Sequence, residues 1–304
     1  MNLQILYANI QNNKPHSFSF NDKVDQFFIG FSKFCIKYDT IYSHHVKEIS
    51  IDLTDTVKDG NKIRIRPKIV MNDTSGNRES SRSSIEVVIL ASIGNGNQNV
   101  YLQSAVDTDE RHNIPLHNIN FMQTAIHSVF SKYQRKDHHL AEYSSHINIT
   151  KPNSKCYKLT GCSIIRDEGE FFSNGQIKGS VIAYNGNNQD ILCGYFTEDN
   201  MNSNNVKVEL GDCPAGFQPN EYSFHCFISS FGFSYENGND HHVMKIDLST
   251  QNRNNELLIE NNKICARLTL KAKIKDLKYH RTKLPHNKIS GFVIAIRNLL
   301  NNRA

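Results

Sequence analysis

The chain has 304 residues, 38% of them hydrophobic and 21% charged, with a formal net charge of +5 and a pI near 8.7. Abundant large apolar residues and a small net charge per residue exclude a disordered chain. No stretch approaches the roughly 20 apolar residues of a spanning helix, so no membrane insertion is expected, and basic residues spread along the whole chain argue against a nucleic-acid partner.

In chain order, MNLQILYANIQNNKPHSF lacks the basic and apolar regions of a signal peptide. The expectation is a cytoplasmic protein, or one released by a non-classical route or as part of an assembly. The run LQILYANIQ predicts an opening strand, followed by a Phe-rich strand and the doublet His44–His45. Next come VKEISIDLTD, KIRIRPKIVMND, a polar loop at 72–84 and the closing strand SIEVVILASIG. The same order recurs as NVYLQSAVD, a strand from Phe121, His138–His139, LAEYSSHINIT, YKLTGCSIIRD, a loop at 167–176 and DILCGYFTE. It recurs again as NVKVELG, a strand from Phe224, His241–His242, VMKIDLSTQ, KICARLTLKAKIKD, a loop at 276–290 and ISGFVIAIRN.

Aligned on the doublets without gaps, Phe27, Phe121 and Phe224 coincide, as do Ile36, Phe130 and Phe233, and Tyr38, Lys132 and Tyr235. A fixed internal repeat of this length is a signature of tandem units. The segments alternate with period two, favour Val, Ile, Phe, Tyr and Thr, and are punctuated by Asp59–Gly60, Asn95–Gly96, Asn185–Gly186 and Asn237–Gly238. The expected fold is therefore all-β: three tandem antiparallel β-sandwich domains of about 100 residues each, at 1–97, 98–203 and 204–304. Phe27, Phe31, Ile36, Phe121, Phe130, Phe224, Ile228 and Phe233 are the expected core residues.

The six histidines of the doublets, His44, His45, His138, His139, His241 and His242, are the first candidates for chemistry, since imidazole is a common metal ligand and proton carrier. Neighbouring strand residues point to opposite faces, so one doublet cannot converge on one ion. The third residue after each doublet is Glu48, Glu142 and Lys245, which breaks the ligand pattern in the last copy. No metal or cofactor is expected. One His of each doublet is assigned to the sandwich core, bonded to a backbone carbonyl, and the other to solvent or a domain seam, with metal binding and a ligand or inter-copy contact as the alternatives.

No nucleophile elbow or phosphate-binding glycine loop is present, so no catalytic residue is assigned and the chain is read as a non-enzyme. The cluster Asp107, Asp109 and Glu110 matches no calcium loop. Seven cysteines without a CxxC pair suggest free thiols, with a Cys213–Cys226 pair left open. Lys271, Lys273, Lys275, Lys278, Arg281 and Lys283 form a basic stripe, read as a solvated face. In the last loop Tyr279, His280, Arg281 and His286 offer an aromatic platform with donors, the candidate ligand-binding residues.

The order of an opening strand, a Phe-rich strand, a polar-alternating strand, a longer amphipathic strand, a loop and a closing strand such as SSIEVVILASIG or ISGFVIAIRN resembles the H-type lectin domain. That resemblance covers all three copies, although this chain has none of the Trp with which the family usually closes. It implies glycan binding and a covalent counterpart of the family's trimer. The expected function is thus multivalent recognition, with glycans or other protein subunits as partners and a homo-oligomeric state. The alternative is a structural subunit that self-assembles into an oligomer, filament, sheath or intracellular crystal.

Overall fold

The structure is a computed structural model describing every residue except 1, 41, 135, 154, 168–172, 188, 200–203, 236–241, 276–285 and 299–304. The described residues form an all-β, antiparallel fold whose one helical element is a 3-10 turn at Pro219–Glu221. The first third carries β1 (Leu3–Gln11), β2 (His16–Ser19), β3 (Val24–Lys37), β4 (Glu48–Asp52), β5 (Thr56–Asp59), β6 (Lys62–Ile65), β7 (Lys68–Asn72) and β8 (Ser84–Ile93). Then follow β9 (Val100–Asp107), β10 (Arg111–Asn113), β11 (Phe121–Lys132), β12 (Glu142–Asn153), β13 (Cys156–Arg166) and β14 (Asn174–Tyr184). The chain continues with β15 (Ile191–Asp199), β16 (Asn204–Asp212), β17 (Tyr222–Ser234), β18 (Lys245–Glu260), β19 (Lys263–Lys275) and β20 (His286–Arg297). No helix among the described residues is long and apolar enough to cross a membrane.

Three large sheets have the orders β1-β8-β3-β18-β19-β16, β10-β13-β12-β17-β20-β15 and β7-β4-β11-β14-β9, and a small sheet has the order β2-β6-β5. None of the three large sheets is confined to one third of the chain. β3 pairs with β18 through Phe34↔Leu248 and Ile36↔Ile246. β17 pairs with β12 through Phe233↔Tyr143, and β11 pairs with β4 through Val129↔Ile51 and Ser131↔Ile49. The long strand of each third thus reaches into the sheet of another, and these exchanges close a ring.

Two strands lie elsewhere than expected. ILCGYFTED, expected to close the second copy, is β15 and runs along β20 from Ile191↔Ile296 to Asp199↔Lys288. The strand that flanks β11 is β14, GQIKGSVIAY, as β8 flanks β3. NVKVELG, expected to open the third copy, is β16 at the sheet edge beside β19. This pairing attaches β15 to the last third, ahead of the expected boundary at 203. Alternation fixes which face a side chain takes but not which neighbour a strand chooses.

Strands β3, β11 and β17 pack against one another at the centre. Four successive residues of β3, Phe28 to Phe31, are fully buried, so both of its faces lie in apolar surroundings. One face joins the large core; the other meets a second cluster that includes Phe28, Ala125, Phe227 and Phe292. Rings of Phe28 and Phe227 stand edge to face at 4.9 Å, an arrangement aromatic pairs favour.

Each of these strands carries a bulge, between Phe31 and Lys33, Ile126 and Ser128, and Ile228 and Ser230. A bulge inserts one residue and moves the inward phase by one position. Phe31, Ile36, Ile228 and Phe233 are buried as expected. Phe27, Phe121, Phe130 and Phe224 are only half-buried, Phe27 and Phe224 packing against the large core and Phe121 against the second. The gapless alignment fails in the middle copy, whose bulge at His127 lies one residue nearer its doublet than Ser32 and Ser229 lie to theirs. Tyr133, not Lys132, therefore joins Tyr38 and Tyr235 in the core, and Phe130 is displaced from it.

Candidate functional site

The doublets lie just beyond β3, β11 and β17, where the segments bond to one another through the backbone. His44 N–H donates to the Val243 carbonyl at 3.0 Å, and Val243 N–H returns a bond to His44 at 2.8 Å. His138 and Val46 exchange bonds of 2.9 and 3.0 Å in the same way. The aliphatic residue after each doublet, Val46, Leu140 and Val243, is fully buried. With that residue committed inward, the two histidines before it divide into two roles.

In the first two doublets the leading histidine meets a carboxylate. His44 Nδ1 lies 3.4 Å from Asp73, and His138 Nδ1 lies 2.6 Å from Asp167. Tyr38 packs edge-on against His44 at 4.8 Å, and Tyr133 packs tilted against His138 at 4.6 Å. Burial, reinforced by Asp73 and Asp167 respectively, pushes the Tyr38 and Tyr133 hydroxyls far above their ordinary range, so both remain protonated. Tyr38 donates to the His45 carbonyl at 2.7 Å. His241, the corresponding histidine of the third doublet, lies outside the described residues.

The second histidines come together. His45, His139 and His242 each present a ring nitrogen, all within 4.8 Å of one another, and all three are half-buried. Ring centroids of His45 and His139 are 4.2 Å apart, those of His45 and His242 4.7 Å, and Nε2 of His139 lies 3.0 Å from Nε2 of His242. Convergence inside one doublet is ruled out by strand geometry, but convergence between doublets is not. Asp137 stands beside this cluster, its carboxyl held below the usual range: burial raises it, but bonds from Thr74 and the charge of His45 outweigh that.

Asp73 and Asp167 were missed as partners, although a signal existed. Each closes its own run, in KIRIRPKIVMND and in YKLTGCSIIRD. The matching Asp276 lies outside the described residues, as do Tyr279, His280 and Arg281. His286 is exposed at the start of β20, opposite Ser234. Lys271, from the basic stripe, pairs with Asp247 at 2.9 Å. All seven cysteines are free thiols, with Cys156, Cys226 and Cys265 buried.

His286 also borders a broad groove of about 1300 Å³ over β12, β17, β20 and β15. Its floor follows the cross-strand register. His146, Ser230, Ser290 and Thr197 form one row, and Ser144, Gly232, Lys288 and Asp199 the next. At its edge Tyr195 is 64% exposed. A second groove, of about 440 Å³, lies beside Tyr7, which is 55% exposed and packs on His225 at 4.4 Å. Tyr7 faces Val88, the partner of Gly30; Tyr195 faces Phe292, the partner of Phe227. The two tyrosines thus occupy matching places on β1 and β15.

The chain matches no family model, no curated protein and no solved structure.

Proposed function

We propose that this chain is a non-catalytic, multivalent recognition protein that binds glycans in two grooves of its surface. The observation that carries this reading is the matched pair of exposed tyrosines, each at the rim of a polar groove. A flat aromatic ring beside polar groups suits the C–H faces of a sugar. In the larger groove Ser230, Ser290 and Thr197 place hydroxyls in a row, with His146 and His286 as further donors or acceptors. Hydroxyl rows of this kind suit a ligand that is itself rich in hydroxyls. The resemblance to H-type lectin domains points in the same direction. Two weak sites on one rigid chain would add avidity without any new contact.

A glycan array probed with the purified chain tests the reading, with Tyr195→Ala and Tyr7→Ala beside it. Retention of a defined set of glycans is expected, weakened tenfold or more by either substitution as bivalency is lost. Failure to retain any glycan overturns it. Migration of that glycan-silent protein as a large assembly would put the structural-subunit reading in its place.

A further inference from the structure

We propose that His45, His139 and His242 bind one divalent transition-metal ion of the zinc type, a site independent of the glycan reading. Among the described residues this is the one group of His, Cys, Asp or Glu side chains with ligand spacing. Its donors are imidazole nitrogens alone, which suit Zn²⁺, Cu²⁺, Ni²⁺ or Co²⁺ and not the oxygen-seeking Ca²⁺ and Mg²⁺. Zinc–nitrogen bonds of about 2.0–2.1 Å in a tetrahedron place ligand nitrogens roughly 3.3 Å apart. The His139 and His242 nitrogens already stand at 3.0 Å, and all three fall within 4.8 Å, so small ring rotations suffice.

The surroundings hold the rings in that direction. Paired backbone bonds tie the His45 segment to those of His139 and His242. Tyr38 fixes the His45 carbonyl, and the buried Val46, Leu140 and Val243 lock the following positions. His44 and His138 are turned away to Asp73 and Asp167. The first two doublets therefore serve two ends: the first ring anchors the turn to its own third of the chain, and the second reaches the shared centre. Three protein ligands leave a fourth position, and the half-buried rings leave it room for water or another small donor. An ion there would tie together three segments that are far apart in sequence.

The test uses the full chain, stripped with a chelator and titrated with zinc chloride alone, then with cobalt chloride. Uptake of one zinc ion per chain is expected, with a rise in Tm that magnesium does not reproduce. Cobalt should give the visible absorption of a tetrahedral nitrogen site without a thiolate-to-cobalt band. His139→Ala and His242→Ala should each weaken zinc binding tenfold or more. His146→Ala, whose ring lies 3.5 Å from the Cys162 thiol, should leave it unchanged. The proposal is overturned by absence of zinc uptake at micromolar concentration, by a thiolate band in the cobalt spectrum, or by binding that His146→Ala abolishes. The cobalt spectrum decides on the unmodified chain, so misfolding of a histidine variant does not blunt the test.

Discussion

Gly30 and Phe227 share one space at the centre of the molecule: a methyl group added to Gly30 would stand 3.0 Å from Cδ1 of Phe227 and 3.1 Å from Cβ of Ala125. The three residues lie on β3, β17 and β11, one to each of the strands that meet there. One large side chain fills the room that two small ones leave. Gly30→Val should therefore overpack the centre and lower stability by about 1–3 kcal/mol. Phe227→Ala should open a cavity and cost roughly 3–5 kcal/mol. Combining them should give less than the sum, because each relieves the other's defect. Urea unfolding of the two single variants and the double variant checks this, and strict additivity would contradict it.

Stability should fall as the solution is acidified, in part through His127. Burial pushes the pKa of this imidazole down to about 4, although the Ile29 carbonyl and the charge of Asp52 oppose the shift. Its Nδ1 lies 3.3 Å from the Ser180 hydroxyl. In the unfolded chain the group takes up a proton near pH 6.5; in the folded chain it resists until about pH 4. The resulting contribution is fully present above pH 6.5 and is lost on the way down, about 3 kcal/mol by pH 4. His127→Gln should flatten that part of the profile. Denaturant midpoints of both proteins between pH 7.5 and 4.5 provide the comparison, and parallel profiles would show that His127 carries none of it.

Removal of one carboxylate should loosen a turn without unfolding the protein. Asp167 accepts the short contact from His138 Nδ1 in partly buried surroundings. Asp167→Ala is expected to destabilise by roughly 1–3 kcal/mol, the range for a charge-assisted bond whose partner is left behind. Hydrogen exchange should quicken around residues 133–140 more than in β20. Uniform acceleration would show that the contact has no local role.

Thiol reactivity offers a simple check on the core. Burial pushes the Cys226 thiol up to about 12, so almost no thiolate exists at neutral pH. Cys226 should resist alkylation in the native protein at pH 7.5 and react fully in denaturant. Labelling followed by peptide mass analysis reads it directly; rapid native labelling would place this residue outside the core.

Much of this molecule is written locally. Period-two runs such as KIRIRPKIVMND and KICARLTLKAKIKD set strand identity, because alternation of side chains follows from the backbone of a single strand. The doublets marked equivalent turns for the same reason: His45, His139 and His242 each precede a buried aliphatic residue. Pairing was another matter. Backbone N–H and C=O groups are alike in every strand, so nothing in β3 names β18 as its neighbour, and nothing in ILCGYFTED separates a place beside β20 from one beside β11. Bulges shifted the inward phase by one residue and moved Tyr133 into the place assigned to Lys132. The meeting of His45, His139 and His242 depended on all of this at once. They are separated by 94 and 103 residues, and only the closed ring of exchanged strands brings their ring nitrogens within 4.8 Å of one another.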